Sequence, residues 1–161
     1  MRGKQAPKRE IKPDPKYNSI VIAKLINYIM QRGKKSVAQK IVYGAFDILA
    51  LRPGSGDPLD IFDKAVKNVG PEVEVKGRRV GGANYQIPME VRGDRRLALA
   101  FRWIITAVKA KKGKPMADRL AMELADAANG LGASMKKKED TYKMAQANKA
   151  FAHFGRPRRK T

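Results

Sequence analysis

The sequence predicts a mainly α-helical single domain, six helices with a two-stranded β-ribbon protruding between the third and the fourth. Three observations carry that reading. Apolar residues recur every three or four positions in six stretches bounded by Gly, Pro and cap residues. One stretch between the third and fourth of these, "VEVKGRRVGGANYQIPMEV" over 73–91, alternates instead and bends on Gly81 and Gly82. The length of 161 residues with 43% hydrophobic content suits one core, and no internal repeat or boundary interrupts it. The organisation read from this is a basic arm over 1–16, a helical body over 17–151 with the ribbon at 72–91, and a basic tail over 152–161.

The first helix, "SIVIAKLINYIMQ" over 19–31, is apolar nearly all round, so a central, buried position is expected before Gly33 ends it. In the second, 35–51, Val37, Ile41, Ala45 and Leu49 mark one apolar face, and Pro53 with "PGSG" stops it. The third opens on Asp57 as N-cap with Pro58 at its first position and Asp60 in its first turn, and closes at Gly70 and Pro71. Leu97, Phe101, Ile104, Ile105 and Val108 define the fourth, which the loop "KKGK" ends. The fifth starts at Pro115, carries Leu120, Leu124 and Ala128, and stops at "NGLG"; the sixth follows a cap-like Ser134 with Met135, Tyr142 and Ala145. Phe46, Phe62, Phe101 and Trp103 fall at helical spacing among Leu and Ile and read as core.

The ribbon's register follows from side-chain alternation. A two-residue turn at Gly81 and Gly82 would pair Val75 with Pro88 and divide the apolar residues between two faces. A three-residue loop pairs Val75 with Met89 and Val73 with Val91 and keeps one apolar face at the base, and this is the register predicted. It sets Tyr85 opposite Arg79, where stacking on a nucleobase and cross-strand packing are both open. Pro88 fits a ribbon with free edges. Glu72, Glu74 and Glu90 lie at the base, Lys76, Arg78 and Arg79 toward the tip, so the arm is docked at one end and cationic at the other.

Charge points to the partner. The 35 Lys and Arg against 15 Asp and Glu give a formal charge of +20, more than a metabolite requires and suited to a polyanion. Most of the cations fall into seven groups, chiefly at element ends and loops: the N-terminal arm (Arg2, Lys4, Lys8, Arg9, Lys12, Lys16), Arg32 with Lys34, Lys35 and Lys40, the ribbon, Arg92 with Arg95, Arg96 and Arg102, Lys109 with Lys111, Lys112 and Lys114, Lys136 to Lys138, and Lys149 with the C-terminal tail. Any one such group reads most simply as a solvated face; seven together favour a binding surface. Both ends, residues 1 to about 16 and the last dozen, are expected to order only on a partner.

Several function classes lose their material. With no cysteine and one histidine, a disulfide framework, a zinc site and a thiol nucleophile have nothing to be built from. His153 stands without a carboxylate, serine or second histidine in a motif, and reads as a helix-end residue or an RNA contact. "GSGDP" and "VGGAN" lack the Lys-Ser/Thr ending and the strand-to-helix setting of a phosphate loop, so turn and cap roles explain them. Glu139 and Asp140 sit beside lysines as solvated charges. No run approaches the roughly 18 apolar residues of a membrane span, and the expectation is a soluble, intracellular protein with no cofactor, no metal and no small-molecule substrate. An architectural DNA-binding protein is the competing reading, although its ribbon tip would favour an apolar wedge where this one has Gly-Gly-Ala; an RNA-modifying enzyme would need a nucleophile or base that no motif assembles.

The segments "RGKKSVAQKIVYGA", "GRRVGGANYQIPMEV", "LADAANG" and "KKKEDTYKMAQANKAFAH", with "KPDPKYNS" before them, strongly resemble the bacterial small-subunit ribosomal protein seven family, in order and over nearly the whole chain. The resemblance implies a cytoplasmic primary binder of 16S ribosomal RNA that starts assembly of the subunit head, the 3′ major domain. It also implies a place near the decoding region, beside exit-site tRNA and the mRNA path, with small-subunit ribosomal proteins nine and eleven as neighbours. Carried onto this chain, the implied rRNA surface is Arg2, Lys4, Lys8, Arg9, Lys12, Arg32, Lys34, Lys35, Lys76, Arg78, Arg79, Arg92, Arg95, Arg96, Arg102, Lys109, Lys111, Lys112, Lys114, Lys136, Lys137, Lys138 and Lys149. Arg78, Arg79, Gly81, Gly82 and Tyr85 would lie by the exit-site tRNA and mRNA. Two positions depart from the family pattern: Tyr142 stands where a histidine is expected after "EDT", and "FGRPRRK" follows "AFAH" in place of an aromatic-rich "YRW".

Overall fold

The computed structural model describes residues 6, 10–52 and 56–155. Six helices form: α1 (Ile20–Ile29), α2 (Lys35–Ala50), α3 (Pro58–Val69), α4 (Gly93–Ala110), α5 (Met116–Ala128) and α6 (Ala133–Ala147), with strands β1 (Val73–Val80) and β2 (Ala83–Glu90) between α3 and α4. A 3-10 segment, Lys149–Gly155, follows α6. No helix among the described residues is long and apolar enough to cross a membrane.

Local chemistry accounts for the boundaries. Ser19 is extended and its hydroxyl accepts from the Ile22 N–H, capping α1. Asp57 accepts from the Leu59 N–H at 3.0 Å with Pro58 at the first position of α3, and Gly70 caps its far end. The sixth helix departs from expectation: its N-cap is Gly132 at φ +97°, while Ser134 lies inside the first turn, buried, with N–H and hydroxyl both donating to Glu123 Oε1 at 2.9 and 2.7 Å. A glycine takes the cap because a Cβ at position 132 would stand 2.9 Å from that same carboxylate oxygen.

The core is built around α5, which contacts α2, α3, α4 and α6; α1 touches α2 and α4 and lies to one side. The uniform apolarity of α1 pointed to a central position, but its Ile20 and Tyr28 remain 52% and 42% exposed. On α2 the buried face is Ala38, Val42, Ala45, Phe46 and Leu49, so the expected stripe is rotated: Ala45 and Leu49 are buried, Ile41 is half-buried and Val37 is 50% exposed. Phe46, the largest side chain of the helix to be fully buried, brings its neighbours Val42 and Leu49 to the core with it. Gly44 lets α2 approach α5, where an added Cβ would meet Ala117 Cβ at 3.4 Å. Phe46, Phe62 and Phe101 are buried as expected, and Trp103 packs against the core half-buried. They continue outward as a line of aromatic contacts, Tyr17 to Phe46 at 5.3 Å, Phe46 to Phe62 at 5.6 Å, Phe62 to Phe101 at 6.3 Å and Phe101 to Tyr28 at 5.6 Å.

Among the described residues, structure reaches into the root of the arm and the start of the tail. Asp14 is buried; its Oδ2 accepts from the Lys16 and Tyr17 N–H groups and its Oδ1 from the Tyr43 hydroxyl at 2.8 Å. This turn pins the root of the arm to α2, and Lys16 adds an ion pair to Asp47 at 3.0 Å. At the other end, the 3-10 segment lies against β2 because Phe151 finds an aromatic partner there. The expectations for positions 1–5, 7–9 and 156–161 lie outside the described residues.

Candidate nucleic-acid interface

The ribbon adopts the two-residue turn, not the three-residue loop. Pairs run Val73 with Glu90, Val75 with Pro88, Lys76 with Ile87, Arg78 with Tyr85 and Arg79 with Asn84. Gly81 and Gly82 have φ of +58° and +94°, the two consecutive positive values that a type I′ turn requires and whose twist matches the strands. Turn chemistry thus overrides the single-apolar-face argument. Both faces of the base find cover instead. Val73 lines a cleft with Met135 and Tyr142 of α6, and Ile87, on the opposite face, is only 1% exposed.

The Ile87 face also carries Glu74 and Lys76, and there it forms an ionic clamp. Arg95 of α4 donates through Nε and Nη2 to Glu74 Oε2 at 3.1 and 3.0 Å, while Lys76 Nζ lies 3.2 Å from Oε1. Burial pushes the Glu74 carboxyl upward, but Arg95 and Lys76 outweigh it and hold the group below the ordinary carboxylate range. Farther out, Tyr85 stands across from Arg78 and not Arg79, and its ring meets Phe151 of the 3-10 segment at 4.8 Å, a partner from outside the ribbon that neither sequence reading named. Arg78 and Arg79 are exposed near the tip, beside glycines that let backbone approach a phosphate.

The remaining cations divide into those held within the protein and those presented outward. Lys111 is held: its Nζ sits 2.7 Å from Glu123 Oε2 and 3.5 Å from Asp126. Arg96 donates to Gly70 O at 3.2 Å and lies 3.8 Å from Glu72. Lys138 donates to Asn68 O, and burial followed by the charge of Arg96 pushes its ammonium below the ordinary lysine range, against the pull of Glu72. Lys12, Arg32, Lys34, Lys35, Arg92, Arg102, Lys109, Lys112, Lys114, Lys136, Lys137 and Lys149 are exposed. Arg2, Lys4, Lys8 and Arg9 lie outside the described residues. His153 is exposed, with Nδ1 2.8 Å from Ala150 O.

The fold brings two of these sets together around concavities that no carboxylate lines. Arg32, Lys34 and Lys109 meet where the α1–α2 turn approaches the end of α4. Arg96 and Lys138 meet beside Asn68, and there the structure adds Lys64 and Lys67 of α3, which the sequence groups omitted. Their signal was present: three positions apart, they project from one side of the last two turns of α3, ahead of Gly70.

A helical body with a cationic ribbon and two acid-free cationic concavities defines a protein of the polyanion-binding class. The chain belongs to a particular family within it, ribosomal protein S7p/S5e, whose model matches residues 1–149. It is 58% identical over 153 residues to the small ribosomal subunit protein uS7 of Francisella tularensis subsp. holarctica (strain OSU18), covering 95% of this chain and 98% of that protein. It is 60% identical over 148 residues to the small ribosomal subunit protein uS7 of Caldanaerobacter subterraneus subsp. tengcongensis, covering 92% of this chain and 94% of that one. The protein is therefore a ribosomal protein of the small subunit, an RNA-binding constituent of the cytoplasmic translation machinery, in a family of structural proteins and not of enzymes.

Proposed function

We propose that the protein is a primary binder of 16S ribosomal RNA that nucleates assembly of the subunit head. In this reading it lies near the decoding region with its ribbon by the exit-site tRNA and the mRNA path, and small-subunit ribosomal proteins nine and eleven are its neighbours. The observation that carries the reading is the ribbon: clamped at its base through Glu74 and Arg95, it presents Arg78 and Arg79 beyond the helical body. A rigid root with a cationic end suits an element that inserts between RNA segments, since the ordering is done before binding and is not charged against affinity.

The chemistry is phosphate neutralisation. Exposed Lys and Arg displace condensed counterions, and guanidinium groups match phosphate oxygens two at a time. Contacts of that kind fix orientation without reading base sequence, so recognition of the RNA site rests on shape and on unpaired nucleotides. The test is chemical footprinting of the isolated protein on naked 16S ribosomal RNA, followed by reconstitution with the protein left out. Protection confined to the 3′ major domain, and failure of head proteins to join without it, are expected. Protection elsewhere, or normal head assembly in its absence, would refute the reading.

A further inference from the structure

The cleft between the α1–α2 turn, α2 and the end of α4 has a composition that phosphate contact alone does not explain. Its volume is about 420 Å³, within the roughly 300–1,000 Å³ of small-ligand sites. The floor is apolar: Met30, Ile41 and Met116 line it, and Val37, the residue that the helical pattern placed in the core, stands at its mouth 50% exposed. The rim carries Arg32, Lys34 and Lys109 with no Asp or Glu among the lining residues. Arg32 takes φ +51° and Gly33 φ +73°, so the turn holds a non-glycine residue in a left-handed conformation where it sets the rim.

An apolar floor under a rim of three cations and the neutral Gln31 matches a ligand that is flat and apolar at one end and anionic at the other. We propose that this cleft takes one unstacked nucleotide of RNA, its base against Val37, Met30 and Met116 and its flanking phosphates on Arg32, Lys34 and Lys109. The inference rests on the rRNA-binding reading and adds to it a site for an unpaired base. Methionine side chains, flexible and polarisable, conform to any of the four base faces, so the site holds a splayed-out nucleotide without selecting strongly among them. Charge complementarity favours RNA over a protein segment, because a peptide would have to bring several carboxylates to a cleft on a chain of net charge +20.

The test uses the full chain with labelled methyl groups, titrated with a short oligoadenylate, together with filter binding to a 16S fragment spanning the 3′ major domain. Expected are shifts at the methyls of Val37, Met30 and Met116. Val37→Ser, at a half-exposed position that leaves the melting temperature in place, should weaken rRNA binding roughly tenfold or more with the salt slope unchanged, because base contact and not charge is lost. Arg32→Ala with Lys34→Ala should instead flatten the slope of log affinity against log salt by about 1.4 to 1.8. Silent methyls together with normal rRNA affinity of Val37→Ser would overturn the nucleotide site and leave the rRNA reading standing. Failure of the unaltered chain to bind the fragment would bring down both. Methyl shifts with polyglutamate but not with oligoadenylate would assign the cleft to a protein segment and overturn it as well.

Discussion

The ammonium of Lys111 lies 2.7 Å from Glu123 Oε2, and Glu123 has no solvent-exposed surface at all. Its second oxygen takes both donors of Ser134, so one carboxylate ties the end of α4 and the start of α6 to α5. Burial pushes this acid upward, and Lys111 and Ser134 reverse the shift, leaving it below the ordinary carboxylate range. A depressed folded-state value means stabilisation that is present above the unfolded value near 4.3 and lost as pH falls through the folded one. Melting curves of wild type and Glu123→Gln should therefore converge on acidification. Glu123→Ala, which leaves Lys111 only the more distant Asp126 and takes the acceptor from both donors of Ser134, should cost about 2–4 kcal/mol at neutral pH by urea unfolding.

The observed register moves the stability of the ribbon from Val75 to Ile87. Ile87 is 1% exposed, whereas Val75 is half-buried opposite Pro88. Ile87→Ala should cost about 2–4 kcal/mol and Val75→Ala less than about 1 kcal/mol. Urea midpoints of the two variants compare them directly, and a larger loss at Val75 would contradict the pairing.

At the tip the opposite behaviour is expected. Arg78→Ala with Arg79→Ala removes two exposed cations, so the melting temperature should hold while rRNA affinity falls and its salt slope drops by about 1.4 to 1.8. Filter binding at several salt concentrations reads both quantities. An unchanged slope would mean that these arginines do not meet phosphates.

The rings of Phe151 and Tyr85 are a third lever. Phe151→Ala should lower stability by only about 1 kcal/mol, yet hydrogen exchange should accelerate in β2 around Tyr85, because the ring that covers that strand is gone. Exchange confined to the 3-10 segment itself would show that the contact does not brace the ribbon.

What the sequence made legible was the set of elements, because their ends are written in residues with one local use, such as Asp57 before Pro58 and Gly70 before Pro71; Ser19, read as the first residue of α1, is its cap. Relations between elements were harder. The demand for one apolar face predicts a three-residue loop, whereas Gly81 and Gly82 specify the two-residue turn that forms. Val37 and Val42 are the same residue type, and nothing local says which of them is buried. Glu123 could have been found, since it falls in the Leu120, Leu124, Ala127 stripe, where a carboxylate implies a partner; Lys111, in a basic loop, gave no sign of being that partner. In the same way, Arg95, Arg96 and Lys138 read as outward charges until the fold supplied Glu74, Gly70 and Asn68.

The clamp between Arg95 and Glu74 has a mechanical meaning. Beyond the clamp the strand runs from Glu74 to Arg79, which at about 3.3 Å per residue makes a lever arm of about 17 Å, propped on one side where Tyr85 meets Phe151. A tilt of about two degrees at the root displaces the free end by about 0.6 Å, already past the roughly 0.5 Å within which a binding group must be held. The aim of Arg78 and Arg79 is thus governed behind them, by the stiffness of a two-point guanidinium grip at the root and by the ring that props Tyr85.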